Sequence, residues 1–259
     1  MDLTFKEFVK KENLGKELAK TGLTITILEE IFTDYEKHIS LFENEAAKIK
    51  DTISKFKKIH SVKVRVKDKY ELIRKIIRKS SELDPITKKN YLLKITDIIG
   101  ARILYLFKSD YWDIHKQIMD VYEGDLAENV QVNILSGVEN TLPREIKAII
   151  KENKVYSSIH YIINLETKPK AKLELQTRTV FEEGVGEISH LMSYKKDNNI
   201  PLIDSALGIL VRHGELCNSS AELMKSIYEI TKKPQTDNQN EVAEKIQKEI
   251  MDHFKKELK

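Results

Sequence analysis

A single cysteine, Cys217, stands among 259 residues, which excludes an intramolecular disulfide and a cysteine-based zinc site. Long hydrophobic runs are missing too. None approaches the roughly eighteen continuous apolar residues of a membrane span, and the opening MDLTFKEFVKKENLGKE is charged throughout, with no apolar signal-peptide core. These absences lead to the expectation of a protein of the reducing cytoplasm that needs no membrane. Charge of one sign is not in large excess either: a net charge of +3 does not call for a nonspecific coat on DNA. The glycine patterns that cradle phosphates, GxxxxGKS/T and GxGxxG, do not occur. If nucleotides bind, side chains and metal must hold their phosphates. No internal repeat or low-complexity segment is seen.

What is present suits one large domain with helical additions, since 41% hydrophobic residues supply a sizeable core. Apolar residues recur at helical spacing through Ile25, Leu28, Phe32, Tyr35, Ile39, Phe42, Ala46, Ile49, Ile53 and Phe56. This predicts a long helix over 25–56 with a narrow seam for another helix, the domain body or a second copy. A short helix is expected over 4–20. Alternation then predicts a strand at Ser61–Val66, a helix at Asp68–Ser81, and a connection around Pro85. A buried strand is expected at Ile98–Phe107, a helix at Asp110–Tyr122 and a strand at Val130–Leu135. Pro143 suits the first turn of a helix running to Lys151. Two strands, Ser158–Leu165 and Ala171–Thr179, follow around the Lys168-Pro169-Lys170 turn, then a helix from Val180 to about Lys195. Beyond Pro201 the chain reads as two helical pieces separated by the polar run 233–238. Strands interleaved with helices give an α/β (α+β) fold, a mixed sheet of about five strands flanked by helices.

Three places carry chemistry. In Ala171–Thr179 the strand period puts Lys172, Glu174, Gln176 and Arg178 on one face and Leu173 and Leu175 on the other. A polar row of this kind either faces water or floors a cleft. Upstream, Tyr156, Ser158 and His160 share one parity, so hairpin pairing would set the two polar rows side by side. Asp97 stands at the mouth of an apolar strand containing Gly100 and Arg102, a position that suits a helix cap or a metal-binding carboxylate. Two carboxylates on neighbouring strands are what Mg²⁺ needs when it also takes phosphate oxygens. From Lys55 to Lys79 a run of lysines and arginines is opposed only by Asp68 and Glu71. Charge alone reads that run either as a surface for polyanions or as a solvated face.

Together these segments resemble the synthetase domain of the RelA/SpoT family, which makes the alarmones ppGpp and pppGpp. The likeness runs from about residue 60 to 196. It is carried by SVKVRVKDKYELIRKIIRK (61–79), DIIGARILYLF (97–107), YSSIH (156–160), ELQTRT (174–179) and the later His190, Tyr194 and Lys195. The resemblance implies a nucleotidyltransferase-like fold and transfer of the β,γ-pyrophosphate of ATP to the 3′-hydroxyl of GDP or GTP, with Mg²⁺ held by Asp97 and Glu174. It implies that Arg65 and Arg102 bracket adenine, with guanidinium planes that lysine could not replace, and that Lys67 and Lys75 neutralise ATP phosphates. Tyr156 would stack on guanine and His160 would contact the acceptor, with Ser158, Gln176 and Arg178 in the same acceptor site.

The chain departs from the family pattern at Glu71, where a serine is usual, at Val155, where a glycine is usual, and at Val185, where an aromatic is usual. Glu71 would repel phosphate unless it points away or pairs with Lys75. No histidine–aspartate hydrolase dyad is visible, so a short, synthetase-only member is expected, with a helical extension at 1–59, the synthetase domain at 60–196 and a helical region at 197–259. Self-association through the helical extensions is one possible partnership. A second reading changes the acceptor to adenine nucleotides or the 3′ end of tRNA, as in toxin-type relatives. A third is a catalytically weak nucleotide-binding scaffold.

Overall fold

The computed structural model describes residues 3–14, 18, 21–135, 148–153, 157–193, 201–232, 244 and 248. Its elements in chain order are α1 (Phe5–Glu12), α2 (Ile25–Ile53), β1 (Ser61–Val66), α3 (Lys69–Lys79), α4 (Tyr91–Lys94), β2 (Ile99–Tyr105), α5 (Tyr111–Tyr122), β3 (Val130–Leu135), β4 (Ala148–Asn153), β5 (Ser158–Leu165), β6 (Ala171–Thr179), α6 (Val180–Ser193) and α7 (Pro201–Thr231). The strands form one mixed sheet in the order β1-β2-β6-β5-β3-β4. Its centre is the parallel pair β2 and β6, flanked by antiparallel β1 and β5.

The register sorts side chains into two faces. Ala101 lies opposite Val64 and Leu175, and Leu175 opposite Tyr161. This apolar face carries the core, together with buried Leu28, Phe32 and Phe42 of α2 and Ile114 and Ile118 of α5. The seam of α2 is therefore buried within its own chain. Tyr35 of that helix is fully buried and its hydroxyl donates to the Lys67 carbonyl at 2.7 Å, tying α2 to the end of β1. On α5, His115 Nδ1 lies 2.8 Å from the Tyr161 hydroxyl, so these two buried polar groups satisfy one another.

Local signals set several boundaries. Thr4 and Glu7 form a reciprocal capping box on α1. Asp68 caps α3, accepting from the backbone of Tyr70 and Glu71. Thr179 ends β6 and begins α6: its hydroxyl accepts from Glu182 N at 3.1 Å, and Glu182 accepts from Thr179 N at 2.7 Å.

Two sequence expectations need correction. The sheet has six strands, because residues 148–151, expected to be helical, belong to β4. That segment pairs in parallel with β3, and ladder hydrogen bonds together with its β-branched Ile149 and Ile150 outweigh the local signal read from Pro143. Residues 143–147 lie outside the described residues, as does the breaker run 233–238. Among the described residues no helix is long and apolar enough to cross a membrane.

Candidate active site

The sheet face opposite the core is polar. Arg65 stands opposite Gly100, Gly100 opposite Glu174, Arg102 opposite Gln176, and Gln176 opposite His160. At one end of this face the Lys67 amide donates to the Ile98 carbonyl at 2.9 Å. That bond sets the residue after β1 beside the residue before β2. Lys67 Nζ then meets Asp97 Oδ2 at 2.7 Å, and Lys75, from α3, meets the same oxygen at 2.7 Å. Burial pushes the Asp97 carboxyl up, but hydrogen bonds from the two lysines outweigh it and hold the acid below its ordinary value. The other oxygen, Oδ1, is buried and has no hydrogen-bond partner among the described residues.

Glu174 sits at the focus of a directed chain of hydrogen bonds. On one side Asn133 Nδ2 donates to Ser158 Oγ at 3.2 Å, and Ser158 Oγ lies 2.7 Å from His160 Nε2. His160 Nδ1 in turn lies 3.1 Å from Glu174 Oε1. In the neutral ring a carboxylate at Nδ1 selects the tautomer protonated there, which leaves Nε2 as acceptor for the serine. On the other side Arg178 donates to Gln176 Oε1 at 2.7 Å, and Gln176 donates to Glu174 Oε1 at 2.8 Å. Burial again raises the carboxyl, and the His160 and Gln176 hydrogen bonds prevail, leaving Glu174 at about 2. Lys75, already bonded to Asp97, also lowers Glu174 electrostatically, and Lys79 feels both acids. The two carboxylates thus share one cationic neighbourhood.

These residues fit a hard divalent cation. Both acids are ionised at neutral pH, and Asp97 keeps a buried oxygen without a donor. Among the described residues no group of three or more His, Cys, Asp and Glu side chains surrounds a metal position. A cation here would take two carboxylates and complete its shell with phosphate and water, the habit of Mg²⁺.

Arg65 and Arg102 lie on the same face with different surroundings. Arg65 is exposed and lies over Gly100, where an added Cβ would stand 3.8 Å from its Cγ. Arg102 is held by α6: its Nη1 donates to both oxygens of Glu183, at 2.7 and 2.9 Å, and to Glu187 at 2.8 Å. Glu71 does not pair with Lys75. Its partner is Arg74 at 2.6 Å, which turns the acid away from the lysines at Asp97. The i,i+3 neighbour wins because Lys75 is already engaged by Asp97. Tyr156 and Val155, like Tyr194 and Lys195, lie outside the described residues. Sequence reasoning missed Asn133, Glu183 and Glu187. The i,i+4 spacing of the two glutamates was visible, but their cationic partners come from β1, β2 and β6.

Val185, where an aromatic was expected, packs against α7. A Cβ at Gly214 would meet Val185 Cγ2 at 2.7 Å, so the two helices approach closely at this pair.

Comparison with known proteins finds relatives of this chain. The GTP pyrophosphokinase YwaC of Bacillus subtilis (strain 168) is 30% identical over 150 residues, covering 55% of this chain and 62% of that relative. The chain thus matches less than two thirds of that protein's length. Among solved structures, small alarmone synthetase 1 from Bacillus subtilis bound to its product pppGpp superposes with a TM-score of 0.54 at 16% identity, covering 76% of this chain and 99% of that one. The same enzyme in a second crystal structure gives a TM-score of 0.52 at 18% identity, covering 78% and 97%. At these identities the likeness establishes a shared fold. The model described as the region found in RelA / SpoT proteins matches residues 64–199, more than half of the chain, and the protein belongs to the RelA/SpoT family.

Proposed function

We propose that this protein transfers the β,γ-pyrophosphate of ATP to the ribose 3′-hydroxyl of GDP or GTP and releases AMP. The observation that carries the reading is the convergence of hydrogen-bond donors on Glu174 beside an Asp97 that is paired with two lysines and keeps one buried oxygen unpartnered. The family assignment and the pyrophosphokinase name of the 30%-identical relative support it. Residues 60–196 would carry the chemistry, with the helical segments on either side as buttresses.

Phosphoryl-type transfer asks for in-line positioning and charge neutralisation more than for covalent chemistry. Lys67 and Lys75 hold the donor phosphates and stabilise charge on the departing AMP. Arg65 and Arg102 orient the adenine, and Tyr156 stacks on the guanine of the acceptor. Ionised Glu174 accepts the hydrogen bond of the 3′-hydroxyl and turns its oxygen toward the β-phosphorus. As the new O–P bond forms, the bond from that phosphorus to the α-phosphate oxygen breaks, and the hydroxyl proton is released toward Glu174. Asp97 and Glu174 would hold Mg²⁺, which, when bound, screens the phosphates and polarises the transferred group.

The test is a product assay with Mg²⁺, γ-labelled ATP and, in parallel, GDP, GTP, adenine nucleotides and tRNA. Labelled guanosine tetra- or pentaphosphate is the expected result. Label in tRNA or adenine nucleotides alone, or in no acceptor at any enzyme level, would overturn it.

A further inference from the structure

We propose that Glu183 is a positioning residue for the donor-nucleotide site and that Glu187 is the displaceable counter-ion of the same arginine. The inference rests on the assignment of Arg102 to ATP and adds two residues of α6 to it.

Glu183 and Glu187 are one helical turn apart on α6 and meet the same atom, Arg102 Nη1. Their circumstances are opposite. The Glu183 side chain is only 8% exposed, and besides Arg102 it meets Lys63 at 3.3 Å and Arg178 at 3.5 Å. A buried carboxylate compensated by three cations is costly to remove, because each partner would lose its counter-charge. The Glu187 side chain is 62% exposed and meets Arg102 at 2.8 Å. An exposed pair of that kind contributes little and exchanges readily. Burial pulls the Arg102 guanidinium toward neutrality, but its two glutamate partners hold it firmly charged.

The three contacts all use one corner of the guanidinium. They fix its place on the sheet and leave its plane to the nucleotide. The same carboxylate reaches Arg178, which begins the donor chain through Gln176 to Glu174. Arg178 is also pressed by the α6 backbone, since a Cβ at Gly186 would lie 2.8 Å from its Nη1. Glu183 therefore links the donor-side arginine to the support of the acceptor-side carboxylate. Glu187 caps Arg102 from outside, and its charge repels an arriving anionic nucleotide.

The two glutamates should respond in opposite directions. Glu183→Gln is expected to raise KM for ATP about tenfold with KM for the guanine acceptor changed less than about threefold, the pattern of a lost donor-site interaction. Glu183→Asp, which keeps the charge, should recover part of that loss. Glu187→Gln should lower KM for ATP. A KM for ATP that stays at the parent value in Glu183→Gln, or rises in both Gln variants, would overturn the inference. Should Glu183→Gln fail to fold in a thermal melt, Glu183→Asp and Glu187→Gln carry the test with the same signs. If the parent transfers pyrophosphate to no acceptor, the functional reading fails separately, and binding of a non-hydrolysable ATP analogue by calorimetry still decides the inference: weaker in Glu183→Gln and not weaker in Glu187→Gln supports it, and equal weakening sinks it.

Discussion

At the scale of single residues, Asp97 divides its two oxygens between different tasks. Oδ2 is saturated by Lys67 and Lys75, while Oδ1 is buried without a donor. Asparagine preserves the shape and removes the charge. Asp97→Asn is therefore expected to lower kcat/KM by at least about a hundredfold, measured as initial rates across a Mg²⁺ titration, and excess Mg²⁺ should not restore it. The residues of this site were readable in the sequence to different degrees. That Glu174, Gln176 and Arg178 share one face follows from strand parity alone, and the pairing of β5 with β6 brings His160 to them as parity suggested. Glu183 could not be read in this way. It lies 81 positions from Arg102 and 120 from Lys63, and no local period announces an ion pair made across a sheet.

Among elements, α6 and α7 approach closely at Val185 and Gly214. Gly214→Ala would drive a methyl group into Val185, forcing the helices apart at a cost of about 1–3 kcal/mol, the usual range for overpacking. Adding Val185→Ala should return most of that loss in urea unfolding. This packing also accounts for the missing aromatic: the helix that passes Gly214 has room for valine and no more. Glu182, at the first turn of α6, offers a second check. Burial drives its carboxyl above the ordinary value, against the attraction of Lys108. Below pH 4.5 the acid is protonated in folded and unfolded chains alike, so Glu182→Gln and the parent should be equally stable. As pH rises, the unfolded chain ionises first, and the parent loses stability until the buried group follows. Unfolding curves from pH 4 to 8 should show the variant gaining on the parent. β4 escaped sequence reading for an elemental reason. Its ladder partner β3 decides its conformation, and a six-residue run holds too little local preference to overrule that pairing.

In the molecule as a whole, one apolar core runs from α1 through α2 and α3 to the sheet, while α7 adds charge pairs to its close packing on α6. Asp110 is buried and meets Lys225 of α7 at 2.6 Å and Lys58 at 3.3 Å. Nearby, Lys108 meets Glu215 at 2.6 Å. Asp110→Ala would leave Lys225 without its carboxylate, while Lys58 keeps Asp113 at 2.6 Å. Its expected cost is about 2 kcal/mol, below that of a wholly buried pair because Lys58 stays half-exposed, and the loss should be visible as a lower midpoint in urea. Architecture at this scale was legible where hydrophobic periods were long, as in α2 and β2. Attachment of α7 was not, because its anchors are one close approach at a glycine and isolated charges on a long, weakly patterned helix.

The parallel neighbours β2 and β6 have one more implication. The strands that present Asp97 and Glu174 advance in the same direction, with everything from α5 to β5 inserted between them as an excursion that departs and comes back. Lengthening an outer bend of that excursion moves neither acid against the other, because the central ladder alone sets their alignment. An insertion in that excursion would therefore change the rim of the sheet and leave the spacing of the two carboxylates as it is.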